Sequence, residues 1–535
     1  LLRKWGESNY LVIPLPSSIA GSYEVARQHL QLALSDFASE LEANLAENII
    51  ASDLTLKQNR VSCNYFTECD IKTSIAAIST VDAGSDGLLE NFSAETAILA
   101  SWAGTVLRVS SESLAFSLPS IVQNNLVGEA DVEVTKLILE QDFNRQVLSA
   151  QARYLAHDIK LNNLTVEISD MSVSGDIDIK DGNLEMSARF VLANQLTVDT
   201  SLKHNFNDGQ GHTETVLDSY SFSQITPMSK LINLKDYDIE LVAGTVTGQS
   251  EFHWRQAGDG KFKIGGPINF MLNDLSGYYD ELFFIGFTTA VNADLTQAWR
   301  FRSTEPMLAE IATVDIGIPT NDIRWDYSWE YSLELENEYS LLSITNLTAA
   351  LLGGEVSIPR IDFDSNQPHS DSNIVINRLN LETIVGLADY PGLNVDGYIS
   401  GYLPVSLTES GFSLSDGLIS ALTPGGTINY LPRTAAPVSN SGLKLVNDAL
   451  SNYQYSRLDT NVVYAKNGDL TLAVQLQGFN PDMNKGQTIN LNVNVTDNIP
   501  NLLKSLQASR SITDVLEQSL SKYNKSEIQR SNNQK

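Results

Sequence analysis

Over most of this chain the apolar residues fall at every second position, a period that only half-buried β-strands satisfy. In residues 183–190 the apolar positions are Leu184, Met186, Ala188 and Phe190, alternating with Asn183, Glu185, Ser187 and Arg189. Leu470, Leu472, Val474 and Leu476 alternate likewise, and Ile489, Leu491, Val493 and Val495 are separated by Asn490, Asn492 and Asn494. Ile177 and Ile179 sit between Asp176, Asp178 and Lys180, and the longest run, 325–336, sets Trp325, Tyr327, Trp329, Tyr331, Leu333 and Leu335 against Asp326 to Glu336. Strict alternation gives each strand one wet and one dry face. Asp181-Gly182, Asp208-Gly209, Asp259-Gly260 and Asn467-Gly468 supply the positive φ of tight hairpins, so a largely antiparallel sheet follows. Strand lengths differ and share no fixed motif, which excludes a short-repeat solenoid.

Helical spacing is rare. Residues 22–50 place Ala26, Leu30, Ala33, Phe37, Leu41, Leu45 and Ile49 three and four apart, which predicts one long amphipathic helix docked on a sheet. Its few basic residues speak against a membrane-surface helix. Residues 380–389 read as a short helix, Ser441 caps a second, and a third follows Pro500 with Leu502, Leu503, Leu506, Ile512, Val515, Leu516 and Leu520. A polar tail from about residue 523 to Lys535 lacks the apolar content to order itself. These shifts divide the chain into 1–50, 51–340, 341–522 and 523–535.

A chain with many amphipathic strands and few helices can bury its dry faces in two ways. It can pack sheet on sheet, as a sandwich or barrel, or it can curl into a groove filled by apolar cargo. Periodicity alone favours the sandwich or barrel. The net charge of −30 excludes phosphate-backbone recognition and electrostatic docking on anionic headgroups. No run reaches the roughly 18 apolar residues of a transmembrane helix; the closest, LFFIGFTTAV at 282–291, suits a strand. The chain starts at Leu1-Leu2-Arg3 rather than methionine, which points to an upstream segment, and with it any membrane anchor, lying outside this sequence.

Chemistry-bearing constellations are sparse. Cys63 and Cys69 are the two cysteines, read as a short-loop disulfide in preference to two free thiols, since no further metal ligand stands near them. His204 and His212 flank a Gly-containing loop and could share a metal, but an exposed hairpin explains them better. The run 176–182 (DIDIKDG) has the wrong spacing for a calcium loop and fits a strand and turn. There is no nucleophile elbow, phosphate loop or dinucleotide fingerprint. The chain is therefore read as a non-enzyme without metal or cofactor.

A series of motifs in the carboxyl-terminal half resembles the YdbH-like family of AsmA-like proteins. It begins at Gly353-Gly354 in LGGEV and continues through Gly397, Gly401 and Pro404 in VDGYISGYLPV. It then runs through Pro424-Gly425-Gly426 and Tyr430 in PGGTINY, Asn480-Pro481 in GFNP, and NLN followed by NIPNLL at 490–503. The order of these motifs across about 345–505 is what makes the resemblance specific. Physically they are structural: Gly397 and Gly401 let another backbone, helix or lipid chain approach the dry face, and Pro404 suggests an edge or an end of pairing.

The resemblance implies a mainly β protein, an elongated, curled, largely antiparallel sheet forming an apolar groove with a few amphipathic helices. It implies phospholipid as cargo, carried through the periplasm of a Gram-negative bacterium to the outer membrane from an inner-membrane-anchored protein. It also implies a small outer-membrane lipoprotein partner joined by β-strand addition at the carboxyl-terminal end. An older label for the family, dicarboxylate transport, fits poorly with an anionic chain lacking a basic pocket. The groove-lining candidates are then Ile177, Ile179, Leu184, Met186, Phe190, Leu470, Leu472, Val474, Leu476, Ile489, Leu491, Val493 and Val495. The alternative is a structural or adhesive envelope β-protein with a conventionally packed core.

Overall fold

A computed structural model describes residues 2–507 apart from 6–8, 13–18, 25–28, 35–36, 46–47, 65–67, 83–87, 124–125, 163–164, 257–261, 281, 297–298, 316, 333–337, 389–390, 409, 432–440 and 484–485. The chain forms two compact units, one of Leu1–Asp238 with Thr247–Ile268, the other of Ile239–Val246 with Asn269–Lys535. The protein is mainly β, and every strand pair with a described register is antiparallel.

In the first unit the strands from Asn48–Asn64 to Gln210–Phe222 pair each with the next along the chain, and hairpin chemistry sets their register. At 180–183 both turn residues take positive φ, Asp181 at 51° and Gly182 at 77°, and Lys180 pairs directly with Asn183. The Asp259-Gly260 turn lies outside the described residues.

The long helix expected over 22–50 is not formed. Strands Ile19–Glu24, His29–Leu34, Phe37–Leu45 and Asn48–Asn64 stand there instead. The three-and-four spacing overlaid a second, alternating pattern, with Leu30 and Leu32 on one side of a strand. Leu30 and Leu32 pair with Cys63 and Val61, and Phe37 pairs with Leu56, so the neighbouring long strand selects the extended form over local helical preference.

The second unit contains the α-helices found among the described residues: Leu381–Ala388, Ser441–Leu450 and Ile499–Gln507. Each stands where the sequence placed a helix, although 508–535, including the expected continuation to Leu520 and the polar tail, lie outside the described residues. This unit has a packed core of Ile376, Leu379, Ile399, Ile428, Tyr453, Tyr455, Leu458 and Leu476, onto which Leu381, Ile384 and Leu450 of two helices pack.

The glycine and proline motifs build that core. Gly353 turns a two-residue hairpin at φ 73°, pairing Leu351 with Gly354. The approach that Gly397 permits is made by Tyr455: a Cβ on Gly397 would fall 2.2 Å from the Tyr455 hydroxyl, which donates to the Asp396 carbonyl at 2.6 Å. Gly401 likewise admits the backbone of Leu418 and Ile419. The Thr423–Pro424 peptide is cis, and Gly425 and Gly426 follow it beside Tyr455. Tyr430 pairs with Leu393. Asn480 is buried and binds the end of the Ser441–Leu450 helix, its Nδ2 donating to the Asp448 and Ala449 carbonyls at 2.9 and 3.2 Å. Pro481 beside it is exposed.

Pro404 does not mark an edge. Its strand, Tyr398–Thr408, is paired on both sides, with Pro404 opposite Asn373 and a break in the other ladder between Tyr402 and Val405. The break accommodates the missing N–H.

Candidate functional site

Cross-strand partners in a ladder project from the same face of a sheet, so the register shows which residues share a surface. In the first unit one transverse row runs Leu32, Val61, Ile71, Ala100, Val109, Leu139, Ala150, Ile179, Leu184 and His204, each paired with the next. Nine inter-strand steps at about 4.8 Å give this row a length of ~43 Å. A second row on the same face runs Phe116, Val132, Ala156, Val173, Phe190, Val198 and Leu217. Between them lie Ile177, Met186 and Leu202, also paired in sequence.

The opposite face is different. Its corresponding row is Arg60, Lys72, Leu99, Ser110, Ile138, Gln151, Asp178, Glu185, Lys203 and His212, mostly polar and mostly exposed. Cross-strand ion pairs tie this side together: Arg153 to Asp176 at 2.9 Å, and Arg189 to Asp199 in two bonds of 2.7 and 2.8 Å. The Arg189 hydrogen bonds hold the Asp199 carboxyl below its ordinary range, against partial burial. These groups are largely exposed, so each pair contributes no more than ~1 kcal/mol. A concavity of about 810 Å³ opens beside these charges, with Leu155 and Val216 also in its wall. Paired, hydrated charges are a poor surface for an apolar ligand.

Bulges keep the apolar rows on one face despite their length. Between the two rows strand Leu126–Asp142 slips register beyond Thr135, and the parity of its apolar positions changes with the slip, from Val132 to Leu139. At Gly175 the ladder to the next strand is interrupted. The Tyr154 phenol spans the gap to donate to the Ser187 carbonyl at 2.8 Å, and Asp176 N–H donates to Ser187 Oγ at 3.1 Å. The polar backbone groups freed by the break are thus satisfied locally.

The thirteen candidate lining residues divide between the two units. Ile177, Ile179, Leu184, Met186 and Phe190 are half-buried on the apolar face of the first unit, while Asp176, Asp178, Asn183, Glu185, Ser187 and Arg189 are exposed on the other. Among the described residues no helix and no cluster of buried apolar residues covers that face. In the second unit Leu476 is part of the packed core, and Val474, Ile489 and Leu491 rest against it. Leu470, Leu472, Val493 and Val495 are half-buried further along the same two strands, where Leu472 pairs with Val495 and Val474 with Val493.

Cys63 and Cys69 are directly opposite in register, with Cα atoms 4.1 Å apart, and form a disulfide. They continue a short row through Trp102, Leu107, Gln141 and Leu148 on the apolar face. His204 and His212 are on opposite faces of adjacent strands and cannot share an ion. His204 Nδ1 accepts the Trp254 indole N–H at 3.1 Å, whereas the His212 ring lies 5.8 Å from that of His253. The run 176–182 forms strand and turn, with Asp178 accepting from Gln151 at 2.7 Å. In the 325–336 run positions 325–331 are half-buried and Ser332 is fully buried, so both faces are partly covered; Asp326 and Glu330 accept from Asn346 and Tyr339, and Leu333 and Leu335 lie outside the described residues.

Sequence reading missed two features. One is the aromatic group around His204, with Phe206 at 4.9 Å and Trp254 at 6.0 Å between ring centres; the sole hint was an aromatic on each side of a turn. The other is Asp131, His157 and Asp158, whose ligand atoms lie within 4.8 Å of one another on the polar face. A bulge after Ala156 brings Asp158, at φ 52°, beside His157, and no spacing in the sequence announces it.

The first unit thus presents a largely apolar sheet face, interrupted by the hydrogen-bonded group of Asn59, Thr73, Thr96 and Ser111, over which no cluster of buried apolar residues packs among the described residues. The family model described as "YdbH-like: Intermembrane phospholipid transport protein YdbH" matches residues 16–521, and the chain belongs to that family. No curated protein matches the chain. Among the described residues, no helix is long and apolar enough to cross a membrane.

Proposed function

We propose that the chain carries phospholipid across the periplasm, from the inner to the outer membrane, by giving acyl chains a continuous path on the apolar face of a curled sheet. The observation that carries this reading is the ten-residue transverse row of the first unit, apolar from Leu32 to Leu184, with no buried cluster over it among the described residues. Its ~43 Å crosses ten strands, so a lipid can pass from strand to strand without its acyl chains leaving the apolar face. Bringing a bare sixteen-carbon chain into water costs ~12 kcal/mol at ~0.8 kcal/mol per CH₂, and a continuous dry surface removes most of that barrier.

Ile177, Ile179, Leu184, Met186 and Phe190 line this path, and Leu470, Leu472, Val493 and Val495 line its counterpart in the second unit. Val474, Leu476, Ile489 and Leu491 serve the packed core, where the helices close over the sheet. Strand Thr488–Asn498 pairs on one side with Asp469–Phe479 and has no strand on its other side among the described residues. That free edge suits strand addition by a small outer-membrane lipoprotein.

The test is mass spectrometry of organic extracts from the chain purified without strong detergent. It is run beside a variant carrying Ile179→Asp, Leu184→Asp, Met186→Asp and Phe190→Asp. Phospholipid in the unaltered chain and little in the folded variant supports the path. An empty unaltered chain favours the packed envelope β-protein.

A further inference from the structure

On the apolar face of strand Val147–Asn162, Leu148 near one end is 51% exposed and Ile159 near the other is 8% exposed, with the face-sharing residues between them half-buried. Next to Leu148 the row passes through Trp102, 42% exposed. At the far ends of the strands the chain folds back. Tyr220 and Leu231 are buried there, and Asn233–Leu234 pairs with Val166 and Glu167.

The exposed end is formed by the turns at 104–105, 143–146, 181–182 and 206–209. They are stitched in pairs, Phe143 N–H to the Thr105 carbonyl at 3.0 Å and Phe206 N–H to the Gly182 carbonyl at 2.8 Å. Aromatic side chains stand on these turns although water reaches them: Phe143 is 52% exposed and stacks on Trp102 at 5.4 Å, and Phe206 is 57% exposed against His204. The turn that carries Phe143 also carries Arg145, whose side chain is 81% exposed with its Nε 3.7 Å from Asp142. Amphipathic rings and an available cation at the border of an apolar surface are the chemistry of a boundary between acyl chains and phosphate.

We infer that the lipid path of the first unit opens along this turn-bearing rim, and that the phosphate headgroup of a glycerophospholipid rides there while its chains lie inward towards Val173 and Phe190. The inference rests on the transport reading and adds the side on which the path is open. The opposite strand ends, where Ile159, Tyr220 and Leu231 are buried, are its closed side.

The test loads the full chain with phosphatidylethanolamine bearing a photoreactive diazirine either at the end of an acyl chain or on the headgroup, and maps the labelled peptides. The headgroup probe is expected to label 102–106, 142–148 and 204–209 over 159–171 and 192–196 by about tenfold or more, because a phosphate is strongly disfavoured against an apolar floor. The acyl probe is expected at 173–190. Headgroup label that is equal at both ends, or concentrated at 192–196, overturns the assignment while leaving transport intact. If the acyl probe labels neither the apolar face nor the rim, the transport reading fails with it.

Discussion

Replacing Asn480 with alanine should release the helix that closes the core of the second unit. Asn480 is 1% exposed and serves two elements at once: its Nδ2 donates to the Asp448 and Ala449 carbonyls, and its Oδ1 accepts the Asp482 N–H at 2.8 Å. The last carbonyls of any α-helix lack partners within the helix, and here one amide supplies two of them. In Asn480→Ala the Ala449 carbonyl, beside a side chain only 2% exposed, is orphaned at ~1–3 kcal/mol. Water can reach the Asp448 carbonyl and the Asp482 N–H, so together these add about 1 kcal/mol. The local loss is ~2–4 kcal/mol, which should speed hydrogen exchange in 441–450 by about thirtyfold to several hundredfold. Pro481→Ala, at an exposed neighbour, should change it by less than ~0.5 kcal/mol. Unchanged exchange in Asn480→Ala, or an equal effect from Pro481→Ala, would refute the reasoning.

Three further outcomes follow from the same geometry. Burial pushes the Tyr453 and Tyr455 hydroxyls up to about 12, with Asp396 adding to the second. Because both folded values lie above the ordinary value of about 10, their contribution is complete below pH ~10 and is lost as the pH rises towards ~12. Phenolate absorbance should therefore show tyrosines that ionise late, and Tyr453→Phe should remove one from that late-ionising set. Gly425→Ala should destabilise far more than Gly104→Ala in urea unfolding. Both have positive φ, but a Cβ at 425 would fall 2.0 Å from the Tyr455 carbonyl whereas one at 104 meets nothing. Finally, Ile179→Asp with Leu184→Asp should remove bound lipid yet lower the stability of the lipid-free chain by no more than ~2 kcal/mol, since both residues are only half-buried; a large loss of stability would place them in a packed core.

Much of this architecture was legible because a period of two is a property of single strands. Leu184 and Glu185 announce opposite faces without any knowledge of their neighbours, and Asp181-Gly182 fixes a register by itself. The short helices at Leu381 and Ser441 were legible from their local sequence. The segment 22–50 misled because its apolar residues satisfy two periods at once, and only the partner strand Asn48–Asn64 decides between them. Nor could spacing separate Leu476, in the core, from Leu472, on the open face, four residues along one strand. That distinction depends on where the helices from 381 and 441 return, a matter of tertiary contact. The rim residues Phe143 and Phe206 looked like isolated aromatics because the turns that gather them come from different hairpins.

The central claim is that one face of the first unit carries lipid along its whole length. The direct measurement places a photocrosslinking amino acid at Val61, Val109, Ile179 and Leu184, and at Lys72, Gln151 and Glu185 on the opposite face, in cells fed radiolabelled phosphate. Labelled phospholipid joined to the chain at all four apolar positions, and at none of the three polar ones, is the predicted result. Label at neither set, or equally at both, would contradict the account.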